Sequence, residues 1–222
     1  KFNQGVTGWE VSPGGAVLEE LCCQALCRLY GLGPKSDATF MYSGTYANQQ
    51  ALYMALHRKA EDHGFDLAEK GIKGFNDPGS LKVLTSSDAH FSLRQAVRML
   101  GLGEESLVSL DVDHNRRLDI ARLKKRLPRL GKKGDIVCLV VTAGTTSTGS
   151  VDPIQPAADI AREIGTWLHV DGAYGLAYGL VPEWSHLFQG IDRADSLSWD
   201  PHKQFGVPIP SSVLFVRDQA DF

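Results

Sequence analysis

The sequence contains no apolar run near the roughly 18 residues that a membrane-spanning helix needs, and no signal-type apolar segment at its start. Charge of one sign is also scarce. The 23 Lys and Arg nearly balance the 26 Asp and Glu, for a net charge of −3, which excludes a strongly basic nucleic-acid face or a polybasic membrane patch. Four cysteines are too few for a stapled secreted domain, and Cys22, Cys23, Cys27 and Cys138 form no Cys-x-x-Cys pair. They are expected to be reduced thiols used as small core residues, which suits a cytoplasmic protein. The seven histidines form no His-Glu-x-x-His pattern. His169 and Asp171 would share a strand face, but with no third ligand nearby no metal site is expected. No Gly-x-Gly-x-x-Gly or Walker-type loop follows a strand, which argues against a nucleotide-binding doubly wound domain.

What is present is an ordinary globular composition, 43% hydrophobic and 22% charged, with enough length to bury a large core. The chain opens on Lys1 rather than Met, and residues 1–222 are expected to be a piece of a longer protein. Leu18, Leu21, Cys22, Ala25, Leu26 and Leu29 recur at helical spacing, stopped by Gly31-Leu32-Gly33-Pro34. Ala47, Ala51, Leu52, Ala55 and Leu56 mark a second helix, and residues 60–80 read as a polar surface excursion. Strands and helices then alternate. Strands are expected at Leu81–Thr85, Leu107–Leu110, Ile136–Val141, Trp167–Val170, Ala194–Ser198 and Val213–Val216. Helices are expected at Ser92–Leu100 and Asp119–Leu127, and after an Asp152 N-cap with Pro153 at the first helical position. The rhythm predicts an α/β domain on a mainly parallel sheet flanked by helices.

In such sheets ligands bind beyond the carboxyl ends of the strands. Those positions read Ser86-Ser87-Asp88-Ala89-His90, then Thr142 to Gly149, then Asp171-Gly172-Ala173-Tyr174-Gly175, then Trp199-Asp200-Pro201-His202-Lys203. An imidazole, a hydroxyl-rich loop, a carboxylate and an amine thus arrive at one rim. Ser43-Gly44-Thr45 before a helix adds an anion cradle. Taken singly, each has a blander reading: Lys203 as a solvated lysine, His90 as a packed histidine, Asp171 as a turn residue. Taken jointly they suit pyridoxal 5′-phosphate. Its aldehyde needs a lysine, its ring nitrogen an acidic partner, and its phosphate needs N–H groups and hydroxyls.

The stretch Asp200-Pro201-His202-Lys203 preceded by Ala194-Asp195-Ser196 resembles the cofactor-lysine motif of the group II pyridoxal-dependent decarboxylases, which include the glutamate and aromatic-L-amino-acid decarboxylases. His169-Val170-Asp171-Gly172-Ala173-Tyr174-Gly175, Ser87-Asp88-Ala89-His90-Phe91-Ser92, Gly144-Thr145-Thr146 with Gly149 to Pro153, and Ser43 to Asn48 are similar to further motifs of that family, in order along nearly the whole chain. The resemblance implies a fold-type I large domain, here incomplete, with an N-terminal segment and a C-terminal small domain outside residues 1–222, so that this piece alone would be inactive. It implies decarboxylation of an L-amino acid to its amine and CO2 through a Lys203 Schiff base. Asp171 would pair with the ring nitrogen, and His90 and Ala173 would flank the ring. Gly44, Thr45 and His202 would surround the phosphate, with Thr146 near the ring substituents. The implied assembly is a homodimer with the active site near the subunit interface. Asp200 stands where many members have Asn, Tyr46 where many have Glu, and Pro208-Ile209-Pro210 looks more like certain microbial members. The competing readings are another fold-type I lyase or aminotransferase, and a catalytically inert binding module.

Overall fold

Residues Ile136–Thr142 are hydrophobic or β-branched throughout, and all seven are buried. A strand buried on both faces must lie inside a sheet covered on both sides. The computed structural model, which describes Gly5 and residues 9–131 and 135–222, has that form. Its elements are α1 (Pro13–Leu29), β1 (Asp37–Met41), α2 (Gly44–Asp62), α3 (Leu67–Lys70), β2 (Lys82–Ser86), α4 (Ser92–Met99), β3 (Leu107–Leu110), α5 (Ile120–Arg126), β4 (Ile136–Thr142), α6 (Ile154–Ile164), β5 (Trp167–Asp171), β6 (Ser196–Trp199) and β7 (Ser212–Val216). The seven strands lie in the order β1-β7-β6-β5-β4-β2-β3.

Side chains alternate across the sheet with period two. Val83, Cys138, Val140 and Leu214 pack under α2 and α4, against Ala47, Ala51, Leu52, Leu93 and Val97. Leu139, Val141, Leu168, Val170 and Phe215 face the opposite way, toward α6 and α1, meeting Ile154, Ala157, Ala161 and Cys27. Each large aliphatic side chain buried this way contributes about 1.5–3 kcal/mol. The mixed α/β fold with a mostly parallel sheet is the one the alternation of elements predicts.

Several details add to the sequence reading or depart from it. The strand at Val213–Val216 is present, but β7 runs antiparallel to both β6 and β1. β1 itself carries no alternating signal. It is a five-residue edge strand with burial limited to Ala38. The excursion at residues 60–80 contains the short helix α3 and buries Leu67 and Phe75. In α1 the leucine stripe faces outward: Leu18, Leu21 and Leu29 are exposed, while Cys23 and Cys27 are the buried positions. Cys138 is buried as expected and Cys22 is exposed.

Asp152 does not cap α6, whose N-cap position is Pro153 with no side-chain hydrogen bond. Its carboxylate turns inward, accepting from Leu118 N at 2.7 Å and Thr142 N at 2.8 Å, and so ties the loop after β4 to the neighbouring chain. Burial raises its pKa from 3.8 to about 6. The folded state therefore holds the proton more tightly than the unfolded state. The stability contributed is full below about pH 4 and fades as pH rises through 6. Asp152→Asn turns one acceptor into an NH2 group facing an N–H donor. We expect it to cost about 2 kcal/mol at pH 5, with the gap to the parent shrinking at pH 8. Urea unfolding at the two pH values checks this, and a gap that widens with pH would contradict it.

Candidate active site

The strand ends place most of the expected residues around one open cleft. Gly44, Thr45, His90, Thr146, Asp171, Ala173 and Lys203 all line it. His202 does not. Its Nδ1 meets the backbone of Ser211, while Nε2 lies 3.9 Å from Asp200 Oδ2.

Each side chain is set by local backbone geometry. α2 begins at the cleft, where the Ser43 side chain accepts from Tyr46 N at 3.4 Å and caps the helix. Gly44 follows directly. A Cβ there would sit 2.7 Å from Asp200 Oδ2, so only glycine lets the Asp200 carboxylate approach the first turn of α2. Asp200 is 3% exposed. It accepts from the Ser212 hydroxyl at 2.6 Å and pairs with the Lys203 amine at 2.9 Å. The Asp200 carboxylate thus partners the lysine directly. The lysine side chain keeps 34% exposure, enough for its amine to be reached from the cleft.

Asp171 is the last residue of β5 and is buried. One carboxylate oxygen accepts from Ala173 N at 3.2 Å, and the other accepts from the Asn48 amide at 2.7 Å. Ala173, also at the cleft, is fixed by its carbonyl, which accepts from Asp200 N at 3.2 Å. His90 lies beyond β2, and its Nδ1 accepts from Ser92 N at 3.2 Å. In the loop after β4 the Thr145 hydroxyl is engaged with Thr148 at 2.7 Å and Ser150 N at 3.1 Å, whereas Thr146 is exposed. Tyr46 points to solvent, edge-on to Tyr42.

Residues 1–222 match the family described as pyridoxal-dependent decarboxylase conserved domain. The chain belongs to that family. It is 36% identical over 221 residues to an L-2,4-diaminobutyrate decarboxylase of Rhizobium meliloti (strain 1021), covering 99% of this chain and 42% of the relative. Among solved structures it resembles the glutamate decarboxylase domain of a diaminobutyrate-pyruvate transaminase and L-2,4-diaminobutyrate decarboxylase from Vibrio parahaemolyticus. There the TM-score is 0.92 and the identity 30%, over 99% of this chain and 48% of that one. A rice (Oryza sativa) TDC with PLP and tryptamine matches with TM-score 0.82 and 26% identity, over 98% of this chain and 45% of that one. The chain thus spans less than half the length of these relatives. The family's cofactor is pyridoxal phosphate.

The residues present fit such a group. The cleft floor has no side chain at Gly44 or Gly144, so backbone is available to a phosphate. The Thr142 hydroxyl at the rim is buried without a hydrogen-bond partner among the described residues. An amine, a buried carboxylate and an imidazole complete the donor set.

Asn48 and Ser92, which end two of the motifs but are assigned no role by them, and Ser198 carry part of the site. The usable signal was Asn48 itself: a polar residue at a buried position of α2, between Ala47 and Ala51 on an otherwise apolar face.

Proposed function

We propose that the protein containing this chain decarboxylates an L-amino acid to its amine and CO2, acting in the cytoplasm as a homodimer. The observation that carries this reading is the convergence of the Lys203 amine, the Asp171 carboxylate and the His90 imidazole on one cleft that begins at the N-terminus of α2. In this reading Lys203 would hold the cofactor through its aldehyde, and Asp171 would partner the ring nitrogen. His90 packs on one face of the ring and Ala173 on the other. Gly44 and Thr45 meet the phosphate with the first N–H groups of α2, Thr146 lies near the ring substituents, and His202 supports the phosphate side from behind. When bound, pyridoxal phosphate supplies an electron sink for the electron pair left as the carboxylate departs.

The residues of this chain then divide the work. Asp171, held by Asn48 and Ala173 N, keeps positive charge on the ring side of the cleft. Asp200 takes the Lys203 ammonium as an ion pair and would hold the amine at the cleft whenever it is not bonded to the cofactor. Groups that grip the substrate carboxylate decide which Cα bond stands perpendicular to the ring, and hence whether CO2 or a proton leaves. The outward stripe of Leu18, Leu21 and Leu29 on α1 supports the dimer, because an apolar helix face of that size is ordinarily covered.

The test is to incubate the full-length protein with a panel of L-amino acids, including 2,4-diaminobutyrate, glutamate and tryptophan, while measuring CO2. We expect CO2 and the matching amine from at least one. Amine transfer to a keto acid with no CO2 would overturn the decarboxylase reading.

A further inference from the structure

From Asn48 at the cleft a buried chain of polar side chains runs back into the protein, and beyond Asn48 the catalytic reading does not use it. Asn48 on α2 is 1% exposed, and all its hydrogen-bonding capacity is engaged. Its amide nitrogen donates to Asp171 Oδ2 at 2.7 Å and to Ser92 Oγ at 3.0 Å. Its amide oxygen meets His169 Nε2 at 3.0 Å and accepts from Ser198 Oγ at 2.8 Å. Further back, His169 Nδ1 meets Ser196 Oγ at 2.8 Å, and Ser196 Oγ accepts from Trp167 Nε1 at 2.8 Å.

Donor and acceptor rules leave one self-consistent assignment. A carboxylate only accepts, so the Asn48 group against Asp171 must be the NH2. The Asn48 oxygen then faces His169, whose Nε2 must carry the proton. His169 is fully buried, and desolvation lowers its pKa to about 4, so the ring is neutral and Nδ1 has a lone pair. Ser196 fills that lone pair with its own proton while accepting from Trp167, which can only donate. Every hydrogen in the series Trp167, Ser196, His169, Asn48 points toward the Asp171 carboxylate. Reversing any link would set two acceptors or two donors face to face in a buried site.

We propose that Asn48 is a positioning residue that aims the Asp171 carboxylate at the cofactor ring nitrogen, and that His169, fixed as the Nε2–H tautomer, in turn holds Asn48. The inference rests on the role given to Asp171 above. Ala173 N at 3.2 Å, and the Ser198 hydroxyl at 3.2 Å with its one proton shared with Asn48 Oδ1, meet only Asp171 Oδ1. Asn48 is therefore what restrains Oδ2, and without it only the longer contacts to Oδ1 hold the plane of the carboxylate. Two elements far apart in sequence, α2 and β5, are locked together at the point where orientation matters.

The test uses full-length holoenzyme reconstituted with cofactor labelled with 15N at the ring nitrogen. In the parent the ring nitrogen is expected to be protonated. In Asn48→Ala its signal moves toward the unprotonated position, and the cofactor dissociation constant rises by ~10-fold or more, the scale of a hydrogen bond to a charged group. Asp171→Ala moves the same signal further. A ring nitrogen unchanged in Asn48→Ala but changed in Asp171→Ala overturns the inference and leaves the Asp171 reading standing. A ring nitrogen unchanged in Asp171→Ala refutes that reading, and this one with it. Should Asn48→Ala fail to fold, 15N-histidine spectra of the parent decide, with the His169 signals identified by their loss in His169→Gln. Protonated Nε2 with bare Nδ1 supports the assignment. The opposite tautomer flips the Asn48 amide away from Asp171 and overturns it.

Discussion

Lys203→Ala in the full-length protein is expected to abolish the visible band of bound cofactor and to cut decarboxylation by ~10⁴-fold or more. The expectation follows from placement. The lysine sits on the turn after β6, where its backbone N–H donates to Asp200 O at 2.9 Å, so the chain fixes the base of the side chain and leaves the amine at the cleft. Its side chain is one-third exposed, and so little packing is lost on truncation. Truncation does remove the cation that faces Asp200, however, and an unpaired carboxylate that is 3% exposed brings its own penalty. Lys203→Arg separates the two effects. It keeps a positive charge for Asp200 but has no amine to condense with an aldehyde. We expect Lys203→Arg to unfold at about the same urea concentration as the parent and yet to be colourless and inactive. An unchanged visible band in either variant would refute the role given to Lys203.

The sequence was legible where one physical constraint dominates. Ile136–Val141 is apolar on both faces because a central parallel strand has no solvent side. The residues after β2, β4, β5 and β6 could be singled out because a parallel sheet gathers its carboxyl ends on one rim. The direction of β7 was not legible, for a reason visible in the chain. Only the turn at residues 200–211, with no helix, joins it to β6, and a parallel return needs a longer crossover. β1 was missed because an edge strand with one buried position has no pattern to betray it. The outward leucines of α1 show periodicity finding a helix face without saying what that face meets. Within the site, chain-local motifs marked Asp171 and Lys203. The bond from Asn48 to Asp171 spans 123 residues and becomes visible only when α2 lies across β5. Asp152 looked like a helix cap because Asp before Pro usually is one. The structure gives its carboxylate two buried N–H groups instead.

Gly175→Ala is expected to lower stability by about 3 kcal/mol, at the upper end for overpacking, and to cut activity by ~100-fold. The loop leaving β4 and the loop leaving β5 cross in backbone contact. A Cβ on Gly175 would lie 2.4 Å from Ala143 O and 2.8 Å from Gly144 Cα. Gly144 answers with φ +98° and no room of its own, since its Cβ would be 2.6 Å from Gly175 Cα. Main-chain atoms on both sides cannot swing aside as a flexible side chain would, so relief requires the loops to part by ~1 Å, a displacement that by itself costs ~100-fold in rate. One loop carries Thr145 and Thr146, the other Asp171 and Ala173, and parting them opens the cleft between hydroxyls and carboxylate. Gly149→Ala is the matched control in the same loop. It also has positive φ, at +68°, but nothing lies within 4 Å of its Cβ. Only the left-handed backbone penalty applies there, about 1 kcal/mol, and cofactor affinity should not change. Urea unfolding together with cofactor titration of both variants decides. Equal losses in the two would mean that backbone conformation, and not the interlocking of the loops, shapes the cleft; a Gly175→Ala protein as stable as the parent would rule the interlock out altogether.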